Sequence, residues 1–277
     1  MDLGLIGVQL ISRDTPESSR VEAQFQAAQR LGVRHLELWA SNWDEPGTVD
    51  RVNELQERYQ IHVHLGFGDD YIGNADRQPT ERFAELIERV YKPLGVRVIG
   101  TASRLHGGRW LREPPLDEQL DRLAAALGRL APVAEANDVV LAIENHADYR
   151  GYELAGVLER VGSPGLGARL DTGNAYTVIE EPLAAAQALA RYTVSTHIKD
   201  QIVESEPGNR GLELRGLLAL RDCVLGEGHV DFQAILSLLA EQGPLGNDLV
   251  LTLEVPRDTI EQSLAYARRA FAPYLSE

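Results

Sequence analysis

Leu141-Ala142-Ile143-Glu144-Asn145-His146 and Arg169-Leu170-Asp171-Thr172-Gly173-Asn174 are two stretches of the same form, each a short apolar run that ends in a carboxylate. Between them lies a helical segment that stops where Gly162 follows Val161. A strand, a crossover and a second strand in that order read as a parallel βαβ unit, because parallel neighbours need a long connection.

The same form recurs on both sides of this unit. Apolar runs rich in β-branched residues at 3–10, 35–39, 61–65, 97–101, 139–143, 166–170, 193–198 and 249–255 make eight expected strands. Helical spacing fills the intervals, as in Val21, Phe25 and Ala28, in Phe83, Leu86, Ile87 and Val90, and in Leu116, Leu120, Leu123, Leu127 and Leu130. Phe232, Ile235, Leu236 and Leu239 repeat the pattern near the carboxyl end. Gly32, Gly95, Gly162 and Gly243 each follow such a stretch and supply a residue that accepts a left-handed conformation.

Eight alternating units fit a closed barrel better than an open doubly wound sheet, and no Gly-x-Gly-x-x-Gly follows the first strand. A (β/α)8 barrel needs about 250 residues as one domain. The 277 residues are therefore expected to form a single α/β domain, a (β/α)8 TIM barrel over residues 1–277.

Bulk properties narrow the chemistry. A formal net charge of −15 repels phosphate backbones, so no nucleic-acid partner is expected. No stretch approaches the roughly 18 consecutive apolar residues of a membrane span. The run 3–10 has no basic segment before it and no small-residue cleavage site after it, so it reads as a first strand and a cytoplasmic protein is expected. One cysteine, Cys223, excludes an intrachain disulfide and leaves too little sulfur for a thiolate metal centre.

In a (β/α)8 barrel the reactive groups stand at the carboxyl ends of the strands. Four consecutive strands end in metal-ligand residue types: the fifth in Glu144, the sixth in Asp171, the seventh, Thr196-His197-Ile198-Lys199-Asp200, in His197, and the eighth, Thr252-Leu253-Glu254-Val255-Pro256, in Glu254. Neighbouring strands lie about 4.8 Å apart, so these four can converge on one ion. Three carboxylates and one imidazole make a mostly hard, anionic set suited to Mn or Mg, while the imidazole also admits Co, Zn or Fe. Without a cation the carboxylates could not all stay ionised, since like charges raise one another's pKa.

These strand ends, with Leu225-Gly226-Glu227-Gly228-His229-Val230-Asp231-Phe232 before the last barrel helix, resemble the xylose isomerase-like superfamily of metal-dependent barrels. That group holds sugar isomerases, ketose epimerases, inosose dehydratases and endonuclease IV, and the resemblance covers nearly the whole chain. It implies one divalent metal, with Glu144 and Glu254 acting as both ligands and the acid/base pair, and with Asp171 and His197 as structural ligands. The implied reaction is proton transfer through a metal-stabilised enediolate on a small sugar or polyol-derived substrate.

Lys199, two residues beyond His197, should point inward again and is expected either to stabilise oxyanion charge or to pair with Asp200 or Glu227. His64, His106, Asn174 and His229 are candidate substrate contacts, and Asn145 is a candidate for orienting a ligand. Trp39, Trp43 and Trp110 are candidates for apolar walls, and the polar interval 201–211 reads as an active-site or surface loop.

Two departures from the superfamily bear on substrate. Ketose epimerases place a substrate-binding histidine where Asn174 stands and an arginine where Val203 stands, so a simple free ketohexose handled in that way is not expected. The trinuclear nuclease site likewise needs a histidine at Asn174. An isomerase or epimerase is the leading expectation. A dehydratase or lyase acting on a keto-sugar, inosose or dehydroshikimate-like acid uses the same enolate, and a non-catalytic sugar-binding barrel, which needs neither glutamate as a base, is the reading from another class. A homo-oligomer is compatible with all of these.

Overall fold

The computed structural model describes residues 1–38, 43–68, 72, 79–103, 108–205 and 218–276. Eight parallel strands close a barrel: β1 (Asp2–Ile6), β2 (His35–Glu37), β3 (His62–Gly66), β4 (Val98–Thr101), β5 (Val140–Glu144), β6 (Leu166–Asp171), β7 (Thr193–Ile198) and β10 (Val250–Leu253). Closure is direct, with Leu3 of β1 opposite Leu251 of β10 and Gly4 opposite His35 of β2. The expected fold is thus the observed one.

Around the barrel run α2 (Glu17–Arg30), α3 (Thr48–Tyr59), α4 (Pro79–Leu86), α5 (Leu116–Ala136), α6 (Gly151–Val161), α7 (Pro182–Leu189), α8 (Phe232–Gln242) and α9 (Ile260–Ala270). Side chains alternate across each strand, so Leu141 and Ile143 are buried in the core while Glu144, on the other face, is left for the barrel mouth. Leu36, Val63, Ile99, Leu141, Ile143, Leu170, Leu251 and Leu253 from the strands join Phe25, Leu55, Phe83, Leu123, Leu127 and Leu236 from the helices in one core. No helix among the described residues is long and apolar enough to cross a membrane.

Three local expectations change. The apolar run 3–10 is not one strand, because β1 ends at Ile6 and Gly7–Leu10 forms a helical turn, α1. Of the polar stretch 201–211, the part 201–205 is not loop, since β8 (Gln201–Ser205) pairs antiparallel with β9 (Leu218–Asp222) in a two-stranded sheet beside the barrel, and 206–211 lie outside the described residues. Gly162 ends α6 with φ +65°, as a left-handed cap should, whereas Gly243 ends α8 in extended backbone at φ −70°.

Candidate metal centre

Alternation within β5, β6 and β7 turns Glu144, Asp171 and His197 inward at the carboxyl-terminal mouth. Parallel register sets Glu144 opposite Arg169, and Asp171 directly opposite His197. Each of the three offers a ligand atom within 4.8 Å of the others, a spacing that one ion can bridge. Glu254, just after β10 and the fourth expected ligand, stands outside this group of three but beside it: its Oε2 lies 3.1 Å from His197 Nδ1, and Glu144 Oε2 lies 3.5 Å from the same atom.

The residues fit a cation. Asp171 Oδ2 and His197 Nδ1 are buried with no hydrogen-bond partner. Lys199 Nζ and Glu254 Oε2 come within ion-pair distance of them, at 3.2 and 3.1 Å, without hydrogen-bonding alignment. Leaving buried polar atoms so placed costs about 1–3 kcal/mol each, which a shared cation would offset. Burial pushes the Asp171 carboxyl up to about 6 despite the Lys199 ammonium beside it, with Glu254 and Glu144 adding repulsion. That is the like-charge conflict expected of a carboxylate cluster built around a positive ion.

The other groups hold these four in place. The other oxygen of Asp171, Oδ1, accepts from the amides of Gly173 at 2.8 Å and Asn174 at 2.9 Å. Asn145 clamps the same residue through its backbone, donating to Asp171 O at 2.9 Å and accepting from Asp171 N at 2.7 Å. Asn174 Nδ2 donates to Glu144 Oε1 at 3.0 Å. Lys199 Nζ reaches Asp171 Oδ2, Glu254 Oε1 at 3.3 Å and Asn174 Oδ1 at 3.3 Å. Burial alone would lower the Lys199 pKa, but Asp171, Glu254 and Glu144 hold it well above the ordinary lysine value, so it stays charged.

Lys199 therefore pairs with neither Asp200 nor Glu227. Asp200 points the other way and accepts four amides: Gln201 and Val230 on Oδ1, and Gly226 and Gly228 on Oδ2. A Cβ on Gly228 would lie 2.2 Å from Asp200 Oδ1, so the Gly-Glu-Gly turn owes its second glycine to the approach of this carboxylate.

Two residues that the sequence analysis passed over complete the centre. Glu37, at the end of β2, lies with Oε2 3.0 Å from His197 Nε2, leaving Nδ1 to face the cluster. Arg169 reaches Glu37 from β6 through both terminal nitrogens, at 3.2 Å each, and its Nε donates to Ser195. Burial would raise the Glu37 carboxyl, but Arg169 and His197 outweigh it and hold the group at about 2. The signal was period 2: Glu37 stands two residues after His35, and Arg169 two before Asp171.

Above the cluster opens a cavity of about 550 Å³. Its lining includes the polar Glu37, Glu144, Arg169, His197 and Glu254, the apolar Ile6, Val8, Leu38, Trp43 and Phe67, and His146 and Asp148. The other expected contacts fall elsewhere. His64 stands beside Glu37 in the register of β2 and β3, with Nε2 3.1 Å from His35 Nδ1, and burial holds its pKa down at about 4. His229 is exposed beside the hairpin and accepts from Val203 N at 3.0 Å. His106 and Trp39 lie outside the described residues.

Comparison with known proteins gives a consistent setting. A segment of 123 residues is 29% identical to 3-oxo-isoapionate decarboxylase of Pectobacterium atrosepticum, taking in 44% of this chain. The aligned regions cover 36% and 41% of the lengths of the curated relatives matched. A xylose isomerase-like TIM barrel protein from Mycobacterium smegmatis, solved with magnesium, superposes with TM-score 0.72 at 14% identity over 99% of this chain and 98% of that one. The structure of L-ribulose 3-epimerase superposes with TM-score 0.70 at 19% identity over 99% and 95%. At these identities the likeness establishes the shared fold. The xylose isomerase-like TIM barrel model matches residues 25–272, and the chain belongs to that family.

Proposed function

We propose that the protein is a divalent-metal-dependent enzyme that moves a proton on a small sugar-derived α-hydroxy carbonyl compound, as an isomerase or epimerase does. The observation that carries this reading is the pair of buried atoms that accept or donate no hydrogen bond, Asp171 Oδ2 and His197 Nδ1, gathered within reach of one ion with the carboxylate of Glu144 and close to that of Glu254. Three carboxylates with one imidazole favour Mn or Mg. When bound there, such an ion supplies Lewis acidity toward a carbonyl and its neighbouring hydroxyl.

The chain's own residues divide the remaining work. Glu254 is the most open carboxylate of the set, its side chain 26% exposed against 9% for Glu144 and 0% for Asp171. Burial would raise its pKa, but His197 and Lys199 hold it well below the carboxylate range, so Glu254 is ionised, and its openness to the cavity makes it the candidate base. Glu144 also borders the cavity and is the partner that returns a proton. Lys199, behind the cavity lining and joined to Asp171 and Glu254, would offset negative charge that develops on oxygen through the cluster. The apolar lining of Ile6, Val8, Leu38, Trp43 and Phe67 limits water around the reacting carbons.

A second reading has its own support in the decarboxylase relative. Loss of CO2 from a β-keto acid with a hydroxyl on its α carbon leaves the same enediolate that proton removal leaves, and Glu144 or Glu254 would then only protonate it.

The two readings separate in one experiment. Mn-loaded protein incubated with keto-sugars in D2O should exchange a carbon-bound proton, followed by NMR, and Glu254→Gln should slow that exchange by roughly 10²–10⁴-fold while its circular dichroism is unchanged. Exchange at the wild-type rate in the variant would remove Glu254 as the base. CO2 release from a keto acid without exchange of any keto-sugar would select decarboxylation, and binding with neither would return the sugar-binding barrel.

A further inference from the structure

Lys199 is built into the carboxylate cluster more firmly than a substrate contact requires. Its Nζ lies 3.2 Å from Asp171 Oδ2 and 3.3 Å from Glu254 Oε1. Asn174 links it to the third carboxylate, accepting from Nζ at 3.3 Å while donating to Glu144 Oε1 at 3.0 Å. The backbone is fixed as well. Thr172 Oγ1 accepts from Lys199 N at 2.9 Å and donates to Lys199 O at 2.7 Å. The methylenes cross Gly173 so closely that a Cβ there would stand 2.9 Å from both Cγ and Cδ.

We infer that Lys199 is an internal counter-cation that contends with the divalent ion for Asp171 and Glu254. It holds the cluster together before the ion arrives and sets how weakly the ion is held. The inference rests on the metal-dependent reading above.

Charge accounts for the device. Glu144, Asp171 and Glu254 carry three negative charges, and Glu37 and Arg169 offset each other across 3.2 Å. With Lys199 the cluster is left at two negative charges, the complement of a divalent ion. In the empty site His197, which sits between Glu37, Glu144 and Glu254, also offsets some of this charge, but Asp171 Oδ2 and Glu254 Oε1 then keep no ammonium beside them, so without Lys199 the repulsion among the carboxylates grows and the pull on an incoming cation is stronger. Asn174 provides the carbonyl oxygen that steadies the ammonium.

The test is Mn²⁺ affinity, read from the electron paramagnetic resonance signal of the free ion, with melting temperatures of metal-free and Mn-loaded protein. Lys199→Met is expected to bind Mn²⁺ at least roughly tenfold more tightly than the wild type, to melt lower without metal, and to recover on loading. Lys199→Gln, which keeps a polar end without the charge, should tighten binding in the same direction and carries the test if Lys199→Met does not fold. Lys199→Arg should stay near the wild type. Folded Met and Gln variants that bind no more tightly would overturn the role given to Lys199 alone. Absence of Mn²⁺ binding in the wild type would instead overturn the metal-dependent reading, and this inference with it.

Discussion

Glu37 Oε2 lies 3.0 Å from His197 Nε2 although 160 residues separate the two in the chain. The contact crosses the barrel interior from β2 to β7, and it fixes which imidazole nitrogen faces the carboxylates. A carboxylate behind a ligating histidine sets ring orientation and basicity, and its loss typically costs 10–100-fold in metal affinity.

Glu37→Gln is therefore expected to weaken Mn²⁺ binding by roughly 10–100-fold, measured by competition with a chelator. It also leaves the Arg169 guanidinium buried without its anion, which should cost about 3–5 kcal/mol of stability by analogy with broken buried ion pairs, measured by urea unfolding. Unchanged affinity in a folded variant would show that His197 is oriented without Glu37.

Gly100 extends the same argument to β4. A Cβ at this position would stand 1.7 Å from Arg169 Nη2 and 2.0 Å from its Cζ. The guanidinium has no free direction in which to yield, because Glu37 and Ser195 hold it on its other sides. Gly100→Ala should cost about 1–3 kcal/mol, the usual range for overpacking, and should weaken Mn²⁺ binding in the same direction as Glu37→Gln. A variant as stable as the wild type, with full metal affinity, would mean that the Glu37–Arg169 pair re-forms in another geometry.

The contrast between Glu144 and Glu37 shows what the sequence could reveal. Glu144, Asp171, His197 and Glu254 were legible because each ends an apolar strand, and parallel barrels gather strand ends at one mouth. Glu37 also ends a strand, but its meaning depends on Arg169 and His197, and only closure of the ring brings those two across from it. Lys199 was legible as inward-facing by the period of β7, yet its partners were not, since Asp200 turns away to serve the Gly226–Gly228 turn. The helical turn Gly7–Leu10, Gly-Val-Gln-Leu, was hidden because four residues are too few to tell one periodicity from the other and the apolar run before it reads as strand.

His64, beside Glu37 on the neighbouring strand, offers a test by pH that leaves the four expected ligands unchanged. Its ring sits against His35, and burial together with the His35 charge lowers its pKa to about 4. The unfolded chain takes up a proton on this residue near the ordinary value of 6.5, whereas the folded protein resists until about 4. The neutral ring's contribution is thus fully present above 6.5 and is lost as pH falls toward 4. His64→Gln keeps a hydrogen-bonding side chain with no proton to gain. Between about pH 7.5 and about pH 5 the wild type should lose about 2 kcal/mol relative to this variant, read as the difference in urea-unfolding free energy at the two values. Because both proteins share every other titrating group, the acid response of the carboxylate cluster largely cancels in that difference. A difference that does not change with pH would mean that His64 protonates in the folded barrel as easily as in the unfolded chain.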